Sequence, residues 1–222
     1  MYNIDIDVLL VAWPELIKGI KITFFISFIS SIAAFLIGLV VVYSRTMGGD
    51  FSKTFFTAFV EFIRNTPLLI QLYIVYKALP EFGIHLHPIA CGIIALSIYT
   101  GAYISEVLRS GVNSITGEQY QAARGLGLNR LQTFRLIIFP QAIRIVIPPL
   151  GSQFINLVKN SSLVSFIAVT DVFYVIYKGA VDDFRFFEFF ITGALIYMLL
   201  TGFIALISNS FERHYHALGR CS

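Results

Sequence analysis

The chain has 222 residues, 57% of them hydrophobic and only 13% charged, with 16 Lys and Arg against 13 Asp and Glu. A soluble domain carries about 25% charged and about 45–50% apolar residues, so a water-soluble core of this length is excluded and a membrane class is expected. The net charge of +3 is then read as a report on orientation in a bilayer, and no nucleic-acid partner is expected from it.

The first sixteen residues carry Asp5, Asp7 and Glu15 but no basic n-region, and no small-residue cleavage site follows. This predicts a short amphipathic lead-in to a retained span rather than a cleaved signal. Five stretches are long enough to cross a hydrocarbon core as helices, at roughly 20–44, 59–80, 88–108, 150–168 and 188–208. Pro80 and Pro88 punctuate the second connection, and Pro140, Pro148 and Pro149 precede the fourth span. Cys91 and Cys221 show neither metal spacing nor a plausible disulfide.

An odd number of spans puts the termini on opposite sides. One side then holds Arg45, Lys53, Arg109, Arg124, Arg130, Arg135, Arg144, Arg213 and Arg220, nine in all, and the other holds Lys18, Lys21, Lys77, Lys178 and Arg185. Acids lean the opposite way. The excess of basic residues predicts an external N-terminus and a cytoplasmic C-terminus, with the segment around 114–140 in the cytoplasm, by roughly the positive-inside rule.

That segment is too polar for lipid and reads as two short helices. Thr116 to Gln119 has the form of a capping box, and Gly125 and Gly127 supply a C-terminal stop. Asn129 to Gln132 offers a second N-cap, and Pro140 is expected to close the second helix. Ala122 and Ala123 give the first helix a small, flat face. A solvated loop and a docking element for an intracellular partner are both compatible with these features.

Within the fourth span, Ser152, Gln153, Asn156, Lys159 and Asn160 recur at helical spacing and form one polar stripe. Such a stripe faces a bundle interior or a watery path. Lys159 lies nine residues beyond Leu150, about 13–14 Å along a helix, which is near mid-membrane. A compact ammonium there suits an anionic group such as an amino-acid carboxylate. Ser161 and Ser162 add hydroxyls at similar depth, and interhelical hydrogen bonding is the alternative role for Ser152 and Asn156. Gln71, Ser97, Tyr99 and Thr100 fall near the same level. Glu106 and Asp171 either meet a substrate amino group or pair within the protein, the latter including a bridge to Lys159. Glu61 and Arg64 are expected to form an i,i+3 ion pair.

The sequence Gln121-Ala122-Ala123, then Gly127, Ile137 and Phe139-Pro140, resembles the EAA loop of ABC-importer permeases at every spacing, with Gln121 in place of Glu and Phe139 in place of Leu. Arg64-Asn-Thr-Pro67-Leu-Leu, Gly101-Ala-Tyr103-Ile-Ser-Glu106, Pro140-Gln141-Ala142, Pro148-Pro149-Leu150, Lys159-Asn-Ser-Ser162-Leu, Gly19 and Thr23 look like the polar amino-acid subgroup. The resemblance implies an all-α membrane protein, a type I importer permease with five transmembrane helices, in a prokaryotic inner membrane. It further implies a coupling helix at Glu118, Gln121, Ala122, Ala123, Arg124 and Gly127 that enters a groove on a cytoplasmic ATPase. Two permease chains, identical or closely related, would pair with two ATPase subunits and an extracytoplasmic substrate-binding protein. The subgroup's substrates are polar amino acids, and the two intramembrane acids make basic ones such as arginine, histidine or lysine attractive.

No G-x-x-x-x-G-K-[ST] phosphate loop is present, so ATP hydrolysis is expected on the partner and not on this chain. His85 and His87, and His214 and His216, are read as solvated pairs, with no metal and no cofactor. A secondary transporter would show inverted repeats or correspondingly broken spans, and a membrane enzyme would show a catalytic constellation; neither is visible.

Overall fold

The computed structural model describes residues 5–115 and 117–217; Thr116, Arg220 and Cys221, and the side chains of Arg130, His214 and His216, lie outside the described residues. Every regular element among those residues is helical. The lead-in and the first span form one unbroken helix, α1 (Asp7–Met47). Its 41 residues extend about 60 Å at 1.5 Å each, twice the thickness of a hydrocarbon core.

The stretch expected as a single span at 59–80 is broken. The helix α2 (Asp50–Asn65) ends before Pro67, which lacks an N–H and pushes Thr66 into extended backbone at ψ 131°. The chain then resumes as α3 (Leu68–Tyr73), a π-helical turn at Ile74–Ala78 and α4 (Leu79–Glu81). The two limbs meet at 106°.

At the centre of the bundle stands α5 (Pro88–Asn113), with Pro88 in its first turn, where its missing N–H costs nothing. Small residues recur on several buried sides of α5, among them Gly92, Ala95, Gly101, Ala102 and Ser105. Against it, α1 approaches closely at Gly38 and Gly101. A Cβ on Gly101 would stand 2.7 Å from Ile37 Cγ2, and one on Gly38 would stand 2.5 Å from Ile104 Cγ2. Small residues permit such backbone approach where lipid supplies no hydrophobic drive between helices.

Beyond two short helices, α6 (Gly117–Gly125) and α7 (Arg130–Thr133), the chain passes through a π-helical turn at Phe134–Ile138 into α8 (Phe139–Asn160). Pro140 was expected to end a helix and instead lies in the first turn of α8, a position that needs no N–H donor. Pro148 and Pro149, expected ahead of the fourth span, lie inside α8. A 3-10 segment, Ser161–Ile167, continues it, and α9 (Val172–Asp182) and α10 (Phe186–Ala217) complete the chain.

Three helices, α1, α5 and α10, are long and apolar enough to cross a membrane among the described residues, and two bent runs pass the same test as pairs. The most apolar stretch of α10 is only 6% buried, against 56% for α5. In an aqueous protein Leu199, Phe203 and Leu206, each at least 60% exposed, would be untenable as a continuous face. Around α10 they make a surface suited to lipid or to another apolar protein face, and not to water.

Candidate translocation cleft and coupling segment

Between α5 and α8 lies an open cleft of about 320 Å³ lined by Tyr99, Thr100, Tyr103, Gln153, Asn156 and Asn160. Helical periodicity explains the grouping. Tyr99 and Tyr103 are one turn apart on α5, while Gln153, Asn156 and Asn160 fall on one stripe of α8. The tyrosine rings pack with centroids 5.0 Å apart, and the Tyr99 hydroxyl lies 3.4 Å from that of Tyr103. Tyr103 in turn donates to the backbone carbonyl of Arg64 at 3.4 Å. The lining is uncharged, and its amides and hydroxyls offer both donors and acceptors.

Four of the expected site residues, Tyr99, Thr100, Asn156 and Asn160, thus come together. Lys159 is exposed on α8 between the last two and forms no ion pair among the described residues, so neither Glu106 nor Asp171 is its partner. Ser161 and Ser162 turn their hydroxyls onto the carbonyls of Val158 and Lys159, at 2.8 and 2.7 Å, and so close the 3-10 turns rather than line the cleft. Gln71 is buried at the break between α2 and α3. Its amide donates to Ile63 O at 2.7 Å and Thr66 O at 3.0 Å, satisfying carbonyls that the proline left without partners.

Both intramembrane acids are engaged by the protein. Glu106 is held by Arg45 of α1, by Arg109 at 2.8 Å and by Arg64 at 3.8 Å, so Arg64 pairs across the bundle and not with Glu61 as expected. The Arg64 guanidinium also lies over the Tyr103 ring, 5.1 Å from its centroid. Asp171 is fully buried and caps α9, accepting from Tyr174 N at 2.9 Å and from the Tyr197 hydroxyl at 3.2 Å. Beside it, Thr23 accepts from Val172 N at 3.1 Å, and Gly19 lets α1 pass this turn, since a Cβ there would stand 3.0 Å from Asp171 O.

In the α6–α7 segment the capping chemistry is realised at two of the expected places. Asn129 and Gln132 form a reciprocal capping box, with Gln132 N donating to Asn129 Oδ1 at 2.9 Å and Asn129 N donating to Gln132 Oε1 at 3.0 Å. At the end of α6, Leu128 N reaches Ala123 O and Gly127 N reaches Arg124 O, the paired bonds of a Schellman motif, with Gly127 left-handed at φ 78°. Glu118, Gln121, Ala122, Arg124 and Gly127 are exposed. Ala123 is wholly buried, so only Ala122 of the expected two-alanine face is open. Gln119 is bonded to Gln141, which fastens α6 to α8.

One residue of the cleft, Tyr103, was not singled out as a site residue from sequence, whereas Gln153 entered as a member of the α8 stripe. The one-turn step from Tyr99 to Tyr103 was the available signal. Arg45 gave no local signal, because its partner is 61 residues away.

A central α5 flanked by a long first helix, a broken second limb and an α8 run that bends by 53° into α9 defines a type I importer permease fold. The crystal structure of an amino acid ABC transporter with histidines superposes at a TM-score of 0.89 with 31% identity, covering 96% of this chain and all of that one. An inward-facing form of the MetNI methionine ABC transporter matches at a TM-score of 0.70 and 19% identity, which reflects the fold alone. Residues 34–216 match the family described as binding-protein-dependent transport system inner membrane component, and the chain belongs to that family. It is 37% identical over 209 residues to the probable glutamine ABC transporter permease protein GlnM of Bacillus subtilis, covering 94% of this chain and 97% of that protein. To the glutamine transport system permease protein GlnP of Escherichia coli K12 it is 34% identical over 209 residues, covering 93% and 95%.

Proposed function

We propose that this chain is the membrane permease of an ABC importer that moves a polar, uncharged amino acid into a prokaryotic cytoplasm through the α5–α8 cleft. The observation that carries this reading is the cleft's lining of amides and hydroxyls without a free carboxylate. A glutamine-like side chain needs donors and acceptors of this kind. A basic side chain needs an acid, and Glu106 and Asp171 are already satisfied by arginines and by a helix cap. Names of the glutamine relatives point the same way.

Lys159 is exposed on the same helix as Asn156 and Asn160 but is not part of the cleft lining; in this reading its ammonium holds the substrate carboxylate, and Asn156 and Asn160 hydrogen bond the remainder. The N-terminus lies outside, and the α6–α7 segment in the cytoplasm. There the exposed side of α6, with Glu118, Gln121, Ala122 and Arg124, enters a groove on one of two partner ATPases, which hydrolyse the ATP. The Schellman turn at Gly127 fixes the angle at which α6 is presented. A second permease chain completes the path, and an extracytoplasmic binding protein delivers the substrate for alternating access.

The test is reconstitution of the complex in vesicles with its ATPase and binding protein. Glutamine should stimulate ATP hydrolysis and enter the lumen, and Lys159→Ala should abolish uptake while leaving the assembled complex intact. Stimulation by arginine alone, or unchanged uptake kinetics in the lysine variant, overturns the assignment. Gly127→Pro, which cannot adopt the positive φ of that turn, should leave membrane insertion unchanged and uncouple hydrolysis from uptake. Transport at the wild-type rate in that variant removes α6 as the coupling element.

A further inference from the structure

The helix α2 presents three separate faces. Val60 and Ile63 are buried against Val41 of α1 and Ala102 of α5. Phe51, Phe55 and Phe62, spaced four and seven apart, are 85, 56 and 62% exposed along a second face. Asp50, Lys53, Thr54 and Glu61 are exposed along the third. A helix crossing lipid has no place for that third face, and a helix in water has none for three bare phenylalanines.

Its contacts also fix its direction. Ser52 donates to Ser44 O at 3.2 Å, near the end of α1. One turn further on, Arg45 donates to the Thr57 hydroxyl at 3.2 Å and binds Glu106. At the other end of α2, Arg64 reaches that same Glu106 carboxylate. Ser52 and Arg64 are separated by twelve residues, about 18 Å of helix, yet both stay level with one turn of α1 and one turn of α5. Then the chain bends by 106° and only α3 and α4 climb away, so that Val75 O reaches Cys91 near the start of α5.

We infer that α2 does not cross the membrane but lies in its plane at the membrane–water boundary, with Phe51, Phe55 and Phe62 set into the acyl chains and Lys53 and Glu61 in water. Its occupant is the lipid surface. The phenylalanine face follows on from the bare apolar side of α1 at Leu36, Val40 and Tyr43, which lipid must already cover. In this position α2 anchors the Arg45–Glu106–Arg64 cluster just beneath the boundary, where Arg64, 41% exposed at its side chain, keeps contact with water while Arg45 and Glu106 stay within the bundle. Which leaflet this is rests on the topology proposed above; the depth of the helix does not.

Tryptophan depth measurements test the inference. The only native tryptophan, Trp13, is replaced by Phe, and Phe51→Trp, Phe55→Trp and Phe62→Trp are introduced one at a time in the full chain, which keeps an aromatic ring at each place. The proteins are reconstituted in phosphatidylethanolamine–phosphatidylglycerol vesicles containing lipids brominated near the headgroup or near the chain end. All three tryptophans should be quenched at one shallow depth. In a chain with Cys91 and Cys221 replaced by Ser, Lys53→Cys and Glu61→Cys should both react with an impermeant maleimide from a single side. A depth that changes by about 16 Å from residue 51 to residue 62, the rise of a crossing helix, overturns the inference. So does quenching that is absent until an excess of permease dilution separates chains, or that vanishes when the ATPase is added, since a protein then covers the face. Labelling of both cysteines from outside only would uphold the in-plane helix and overturn the N-outside topology.

Discussion

The cleft between α5 and α8 and the junction of α1, α2 and α5 sit on neighbouring turns of the same central helix, yet they use polarity in opposite ways. Tyr99, Thr100 and Tyr103 bring only hydroxyls to the cleft, facing the amides of Gln153, Asn156 and Asn160. Less than one turn further along α5, Glu106 gathers three arginines. Uncharged groups can exchange water for a ligand at small cost, since each hydrogen bond lost is replaced by another. Charges in low dielectric cannot; once paired they stay paired, because separating them leaves an uncompensated ion. The lesson is a division of labour along one helix, with a wettable stretch lining the proposed path and a charged stretch fixing three helices together.

Removing the carboxylate from the junction should have the largest effect on stability. Glu106→Leu leaves Arg45, 12% exposed at its side chain, with no acid within reach, and should cost about 3 kcal/mol. The loss is to be read as a lowered unfolding midpoint in detergent, with Glu106→Gln losing less. A Glu106→Leu protein of normal stability and altered substrate KM would move this residue from the junction to the cleft.

In the cleft the expectation is reversed. Asn156→Ala should raise the KM for uptake about tenfold, the value of roughly 1.4 kcal/mol for hydrogen bonds lost to a bound substrate, with the unfolding midpoint unchanged. A large drop in stability with KM retained would make the α8 stripe interhelical glue, and the contrast between the two regions would fall.

The smallest effect is expected beyond both regions. Ala168 closes the 3-10 segment in the left-handed conformation at φ 61°, where its Cβ is crowded. Ala168→Gly should stabilise the protein by about 1 kcal/mol and change neither KM nor the response to Glu106 substitution. A shift in KM would show that strain at this turn is transmitted to the cleft.

Much of the chain could be read before any contact was known. Asn129 and Gln132 cap each other, and Gly127 turns left-handed, because both arrangements are closed within six residues of backbone. The polar stripe on α8 followed from helical periodicity, and three of its five residues, Gln153, Asn156 and Asn160, line the cleft against α5. Pro140, Pro148 and Pro149 were misjudged for a similar reason. A proline forbids one donor, but whether the helix stops depends on what neighbouring helices supply.

Composition and local stereochemistry by themselves determined the helical membrane class, the position of the caps and the identity of the polar face, because each depends on residues a few places apart. Tertiary structure alone decided which acids were free. The sequence places Glu106 near Arg109 but cannot show Arg45, 61 residues distant, closing on its other oxygen. It presents Asp171 as a membrane acid but not as the cap of α9, wedged where Gly19 admits the backbone. It reads 59–80 as one apolar length, whereas Pro67 and the anchoring of both ends of α2 at one level turn that length into two limbs. In each case the physical reason is the same: a charge or a backbone direction is settled by its partner, and the partner comes from another helix.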